Sequence, residues 1–291
     1  MKRLLFVTGE GIGNFIQCIP VLRTIEENLK FSGVDIWHAY GSYSIPKNLI
    51  PYIDNMFIGH ELQNIDFNKY EGVVTTSWTE KYVKTHIKLP QIADVHPLSM
   101  TSSEISTYLK IAKDLGVKED NYIWHGKCNY NYVDEEYDVV ISNGYNYLGR
   151  SQWGIKSYPY YDKVASILKA KGYKVCSLGT KEEYVPGTVN KTGLPLLDSL
   201  GLIKNSKMLL SNDTGLYHCA NALEINNIVI FTATSILKNY DERFHKYSKI
   251  INKGLECQPC QKEGRWLKDC KDWPCKEIGA EIVAKKVMED L

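Results

Sequence analysis

Short apolar runs of strand length alternate along this chain with stretches whose apolar residues recur at helical spacing, and this alternation constrains the fold more than any other feature. A strand, a crossover helix and a further strand place the two strands parallel, so repeated units of this kind build a parallel sheet covered by helices. Strand patterns fall at 3–7, 34–38 and 73–77. A helix is expected after the first strand, kinked or delayed by Pro20, and another at 104–115 with Ile105, Tyr108, Leu109, Ala112 and Leu115 on one face. Thr101-Ser102-Ser103-Glu104 reads as the capping box of that second helix and Gly116 as its stop. Residues 129–136 are polar, lack an apolar period and read as a linker. The pattern then restarts, with strands at 137–141, 174–178, 208–211 and 227–231. Helices are expected from Pro159 to Gly172, at 197–205, at 215–223 and at the C-terminus. The expectation is an α/β chain of two domains, 1–133 and 134–291, whose parallel sheets face each other across a cleft.

Composition narrows the partners. The formal net charge is +1 and no block of five like charges occurs, so the basic stripe of a duplex-binding protein is missing and nucleic acid is unsupported as a partner. The apolar part of the N-terminus is too short for a signal peptide, and no stretch approaches the roughly 18 apolar residues that span a bilayer. A cytoplasmic protein without a transmembrane segment, its thiols reduced, is expected, with at most peripheral contact at the inner membrane surface.

Three turns carry polar chemistry. The segment Ser211-Asn212-Asp213-Thr214-Gly215-Leu216-Tyr217-His218 joins a buried strand to a helix that begins near Gly215. Two readings of it stand side by side. It is a helix cap, with Thr214 or Asp213 capping and Gly215 relieving the turn. Or the helix N-terminus seats a phosphate, while Asp213, whose charge repels phosphate, accepts hydrogen bonds from sugar hydroxyls beside it. The second element is Lys156-Ser157-Tyr158-Pro159, where a lysine before a helix start is poised to neutralise a diphosphate. The third is Gly9-Glu10-Gly11-Ile12-Gly13-Asn14 after the first strand, where Gly11 and Gly13 allow close approach of a substrate to the backbone. It is not the dinucleotide fingerprint, and the second strand runs into Trp37-His38 rather than an acidic residue, which argues against a nicotinamide cofactor.

These elements occur in one order: Gly11-Ile12-Gly13-Asn14 with Pro20, Lys156-x-Tyr158-Pro159, Asp213-Thr214-Gly215-x-x-His218, and a closing set of cysteines. In that order the chain resembles the heptosyltransferase-like enzymes of glycosyltransferase family 9, over nearly its whole length. The resemblance implies the GT-B fold of two Rossmann-like domains, with acceptor bound by the first and nucleotide-sugar by the second. It implies inverting transfer, without a catalytic cofactor or metal, from a nucleoside-diphosphate sugar such as an ADP-heptose-like donor to a glycan or glycolipid of the lipopolysaccharide type. Carried over, Lys156 contacts the diphosphate and Thr214 with Gly215 cradles it. Asp213 holds donor-sugar hydroxyls, His218 belongs to the donor-binding set, and Glu182 or Glu183 reaches the ribose. The lipopolysaccharide enzymes carry an aspartate base where this chain has Asn14, and an amide cannot take a proton at neutral pH. Glu10 in the same turn is then the expected base, with Asn14 orienting substrate and His38 and His60 as further candidates. The departure also leaves open a sugar- or nucleotide-binding protein without catalysis, and a transferase acting on hydroxymethylated DNA bases.

Cys257, Cys260, Cys270 and Cys275 crowd the end of the chain. A C-x-x-C pair followed by two more cysteines makes a tetrahedral thiolate site for structural zinc. Disulfides, or reduced thiols packed under a loop, are the alternatives.

Overall fold

The computed structural model describes residues 2–9, 11–39, 45–144, 151–262, 265, 266, 270 and 272–291. The chain divides into two compact units. The first comprises Met1–Asn129 together with Asp241–Phe244, and the second Tyr130–Tyr240 together with His245–Leu291.

In the first unit, strands β1 (Arg3–Thr8), β2 (Val34–His38), β3 (Asn55–Ile58) and β4 (Tyr70–Thr75) form one sheet in the order β3-β2-β1-β4. Every pairing is parallel. Leu4, Leu5, Phe6 and Val7 are all wholly buried, because helices and loops cover both faces and the strand reads as a continuous apolar run. The amino ends of the strands are tied by one carboxylate. Asp35 accepts from Arg3 at 2.7 and 2.5 Å, from the Tyr70 hydroxyl at 2.7 Å and from the Asn55 amide at 2.8 Å. Burial opposes ionisation of Asp35, but these donors outweigh it and hold its carboxyl below the usual range. The carboxyl ends of the strands are left for other work.

Helices of this unit are α1 (Ile12–Gln17), α2 (Ile19–Asn28), α3 (Glu80–His86) and α4 (Glu104–Asp114). Pro20 acts as expected: it cannot extend the first helix, so the chain breaks at Cys18 and α2 restarts with proline in its first turn. In α4 the cap differs from the sequence reading. Ser103 is the N-cap, its hydroxyl accepting from the Ser106 N–H, and Glu104 is the first helical residue, turned inward rather than back to Thr101. Gly116 ends α4 at φ +97°, with its N–H on the Lys113 carbonyl and that of Val117 on the Ala112 carbonyl. Asp241, returning to this unit, accepts from the Ser103 and Ser106 hydroxyls at 2.6 and 3.1 Å and from Arg243 at 2.7 Å. Despite the opposing effect of burial, Arg243 and Ser103 hold the Asp241 carboxyl down at about 2.

The second unit has strands β5 (Val139–Ser142), β6 (Val175–Ser177), β7 (Val189–Asn190), β8 (Met208–Asn212), β9 (Asn227–Phe231) and β10 (Ser248–Asn252). They form a second parallel sheet in the order β10-β9-β8-β5-β6-β7. Its helices are α5 (Tyr161–Ala170), α6 (Leu196–Lys204), α7 (Gly215–Ala222), α8 (Ile236–Asn239) and α9 (Ala280–Asp290). A short hairpin, β11 (Gln261–Lys262) with β12 (Arg265–Trp266), lies beyond β10 in the chain. Tyr161, Val164, Ala165 and Leu168 of α5 pack with Val283, Ala284 and Val287 of α9 over the sheet. Strands β3, β7 and β10 and helices α3 and α8 carry too little apolar period to have been read in advance. Among the described residues no helix is long and apolar enough to cross a membrane.

One contact shows how closely the backbone packs. A Cβ on Gly201 of α6 would lie 1.8 Å from the Asn131 carbonyl oxygen. The expected outcome for Gly201→Ala is net destabilisation of roughly 1–3 kcal/mol, although alanine is the better helix former by about 1 kcal/mol. A lowered urea midpoint at unchanged m-value is the measurement that checks it.

Candidate functional site

Strand β5 has β6 on one side and β8 on the other, so the chain leaves the middle of the second sheet in opposite directions. A crevice opens at such a switch, at the carboxyl ends of the strands. Gly144 lies just beyond β5, and Asn212 ends β8. The wholly buried Asn212 joins the pieces. Its amide donates to the Gly144 carbonyl at 3.2 Å, while its oxygen accepts from the Tyr158 N–H at 3.1 Å and the Tyr161 hydroxyl at 2.9 Å.

The loop before α5 is pinned on either side of Lys156. Lys276 donates to the Gly154 carbonyl at 2.8 Å, Thr232 to that of Ile155 at 2.9 Å, and Tyr158 is held by Asn212. Lys156 is thereby set beside the next residue of the β8 turn. Its ammonium lies 3.2 Å from the Asp213 carbonyl oxygen and 3.4 Å from Oδ2. Asn239 of α8 donates to the same Oδ2 at 3.1 Å. The aspartate is almost fully buried, so its charge is held by a lysine and an amide rather than by water.

Helix α7 starts directly after this pair. Thr214 occupies the N-cap position with extended backbone, yet its side chain makes no cap bond. Its hydroxyl is buried and finds no hydrogen-bond partner among the described residues. A threonine that only capped the helix would spend that oxygen on a first-turn N–H. Here the cap reading fails, and the start of α7 presents backbone N–H groups and a buried hydroxyl beside Lys156.

His218, one turn into α7, is buried with Nε2 3.8 Å from Asp213 Oδ1 and Nδ1 2.8 Å from Nε2 of His245. His245 is wholly buried and stacked between Tyr217, at 4.9 Å and 11°, and Tyr240, at 5.6 Å and 24°. Burial, with the nearby charges of Lys156 and Lys238, drives the His218 imidazole down to about 3, so it is neutral at physiological pH. Lys238 of α8 is itself almost fully buried, and so two lysines bring positive charge to this end of the sheet. Glu183 lies past β6 against bare backbone: a Cβ on Gly179 would fall 2.1 Å from Oε2, and one on Gly144 3.1 Å from it. Oε2 accepts from the Thr180 N–H at 2.9 Å. Of the two glutamates read from the sequence, Glu183 is buried and Glu182 exposed.

In the first unit, Gly11 is the N-cap of α1 and Gly13 lies within that helix. Asn14 is partly exposed and donates to Glu104 at 2.7 Å. Glu10 lies outside the described residues. His38 is wholly buried, edge-on to Phe15 at 5.8 Å, and His60 is exposed. Lys238, Asn239 and His245 were not anticipated; Asn212 was named in its turn without a role of its own, and Glu104 only as part of a helix cap. The setting of Asn212, a polar residue ending an apolar strand, was the signal that could have given it one.

Among the described residues no cysteine is joined to another in a disulfide. Cys260 packs with Ile155, Ala233 and Trp273, so the cysteine region supports the loop that carries Lys156. Burial pushes the Cys275 thiol up to about 11, and the proximity of Cys260, Cys270 and Cys257 adds to it. Among the described residues no three His, Cys, Asp or Glu side chains are grouped closely enough to hold a metal ion.

Two Rossmann-like units with parallel sheets, the second bearing an uncapped helix N-terminus at its switch point, define the GT-B class of fold. Residues 147–271 match the family model of glycosyltransferase family 9 (heptosyltransferase). No curated sequence matches the chain. Among solved structures it is similar to the ADP-heptose lipopolysaccharide heptosyltransferase II of E. coli, at 16% identity and a TM-score of 0.71 over 99% of this chain and 98% of that one. It is similar to a family 9 glycosyl transferase of Veillonella parvula, at 14% identity and 0.71 over 100% and 98%. A third is the iron-containing dodecameric glycosyltransferase TibC of enterotoxigenic E. coli, at 14% identity and 0.68 over 99% of this chain and 75% of that one. At these identities the likeness is one of fold.

The depressed His218 value has a sign that can be checked. Its folded value lies below the unfolded one, so its contribution to stability is complete above about 6.5 and is lost as pH falls from there toward 3. His218 is expected to add up to about 1.4 kcal/mol per pH unit to the acid slope of unfolding free energy in that window. His218→Gln should flatten the slope, read from urea unfolding at pH 7, 6, 5 and 4.

Proposed function

We propose that this protein transfers a sugar, with inversion, from a nucleoside-diphosphate sugar of the ADP-heptose type to a hydroxyl of a glycan or glycolipid acceptor. The observation that carries the reading is the N-terminus of α7, where Thr214 sits at the cap position without capping, its buried hydroxyl has no partner among the described residues, and Lys156 reaches the preceding Asp213. The family 9 match over residues 147–271 supports it, and the heptosyltransferase neighbour named for ADP-heptose suggests the donor.

In this reading the diphosphate lies on the first-turn N–H groups of α7, with Lys156 neutralising it and Thr214 and Gly215 closing round it. Asp213 accepts the donor sugar's hydroxyls, the neutral His218 donates to the same region, and Glu183 takes the ribose. Stabilising the departing diphosphate and aligning the acceptor supply most of the rate. Glu10 takes the acceptor's proton, and Asn14 holds the acceptor. The reaction runs in the cytoplasm, at the membrane surface where the acceptor is a glycolipid.

Calorimetry with ADP tests the donor half. Lys156→Ala should weaken binding by roughly 1.5–3 kcal/mol, the worth of a hydrogen bond to a charged group. Asp213→Ala should leave ADP affinity much less affected than sugar transfer. Equal ADP affinity in wild type and Lys156→Ala removes Lys156 from the seat.

We further propose that Cys257, Cys260, Cys270 and Cys275, which are not grouped as a metal site in this structure, draw together around a structural zinc when it binds. Four thiols suit zinc by type. Protein washed with a weak chelator should retain one equivalent of metal, and Cys257→Ser should release it and lower the melting temperature. Metal-free protein of full stability under reducing conditions refutes this.

A further inference from the structure

Asn14 stands where a transferase of this kind wants a carboxylate, and the structure puts a carboxylate directly behind it. Glu104, the first residue of α4, is wholly buried, 90 positions along the chain from Asn14. Its Oε1 accepts from Asn14 Nδ2 at 2.7 Å and from the Tyr108 hydroxyl in a short hydrogen bond. Glu104 stands in the first turn of α4, where a helix favours negative charge, and two donors converge on one of its oxygens. The Cys18 thiol, which donates to the Asn14 carbonyl at 3.4 Å, is pushed well above its usual range by burial, and the charge on Glu104 adds to that push.

Asn14 donates through its amide nitrogen to this carboxyl, so its amide oxygen faces away from Glu104. Among the described residues no donor reaches that oxygen, and Asn14 is partly exposed where Glu104 is not. A negative charge behind the N–H also polarises the amide and strengthens its oxygen as an acceptor.

We infer that Glu104 is a positioning residue, which locks and polarises Asn14 so that Asn14 Oδ1 receives and aligns the hydroxyl that attacks the donor sugar. The inference rests on the transferase reading above. It moves the negative charge of the pair one side chain inward, from position 14 to position 104, and leaves a neutral, oriented acceptor at the surface.

The test exchanges the two groups. ADP release from ADP-heptose is measured with lipopolysaccharide core as acceptor and with water, alongside ADP affinity and melting temperature. Glu104→Gln should lower turnover roughly tenfold, reflecting the loss of a charge-assisted bond. ADP affinity and melting temperature should stay close to wild type, which a purely structural role would not predict. Asn14→Asp alone brings two carboxyl groups to hydrogen-bond distance, where they cannot both ionise, and should also lower turnover. The double variant Asn14→Asp/Glu104→Gln restores one charge and one amide across the same contact, in reversed order, and should recover most of the lost rate. Turnover unchanged in Glu104→Gln, or a double variant no better than the poorer single one, overturns the inference and leaves the transferase reading intact. Wild-type protein that neither binds ADP nor releases it from ADP-heptose overturns both.

Discussion

The amide of Asn212 is the contact on which the second unit's site depends. It ends β8, and its three hydrogen bonds reach the backbone beyond β5, the backbone before α5 and the hydroxyl of Tyr161 within that helix. A wholly buried amide is stable only when satisfied, so the three partners and Asn212 fix one another. Everything chemical follows along the chain from that lock: Asp213 with its lysine and amide partners, Thr214 at an open cap position, and His218 one turn on. A lysine is thus held against a buried aspartate by a loop pinned elsewhere, not by the ion pair alone.

Two habits of parallel sheets explain why the polar groups lie where they do. The strands are buried on both faces, so polar residues are excluded from their middles and collect at their ends. At the amino end of the first sheet that position is taken by Asp35, whose partners serve only to join strands. At the carboxyl end of the second, the polar groups surround an uncapped helix N-terminus, with the side chain of Glu183 lying where only glycine leaves room. The cysteine region bears on the same place from beneath, through the contact of Cys260 with Ile155.

The imidazole pair adds an electrostatic constraint. His218 lies near a carboxylate, which alone would favour its charged form, but burial and two lysines prevail. Neutral, it forms one hydrogen bond with His245 in which one ring donates and the other accepts. The stacking of His245 between Tyr217 and Tyr240 fixes the geometry of that bond.

From the sequence alone came the two-sheet α/β plan, the break at Pro20, and the glycine stops at Gly116 and Gly172, which take positive φ where other residues are strained. The strand–turn–helix at 208–218 was equally legible. These features are local: each is written in a period, a cap or a single backbone preference within a few residues. Only the tertiary structure decided that Thr214 does not cap, that Lys156 meets Asp213 at a distance of 57 residues, and that His218 meets His245 at 27. It also decided that Glu104 serves Asn14 rather than its own helix cap, and that Asp241–Phe244 packs with the first unit. Such pairs carry no period. They arise when strands far apart in sequence pair in the sheet, and buried polar atoms must then find partners among whatever side chains the topology has brought within reach.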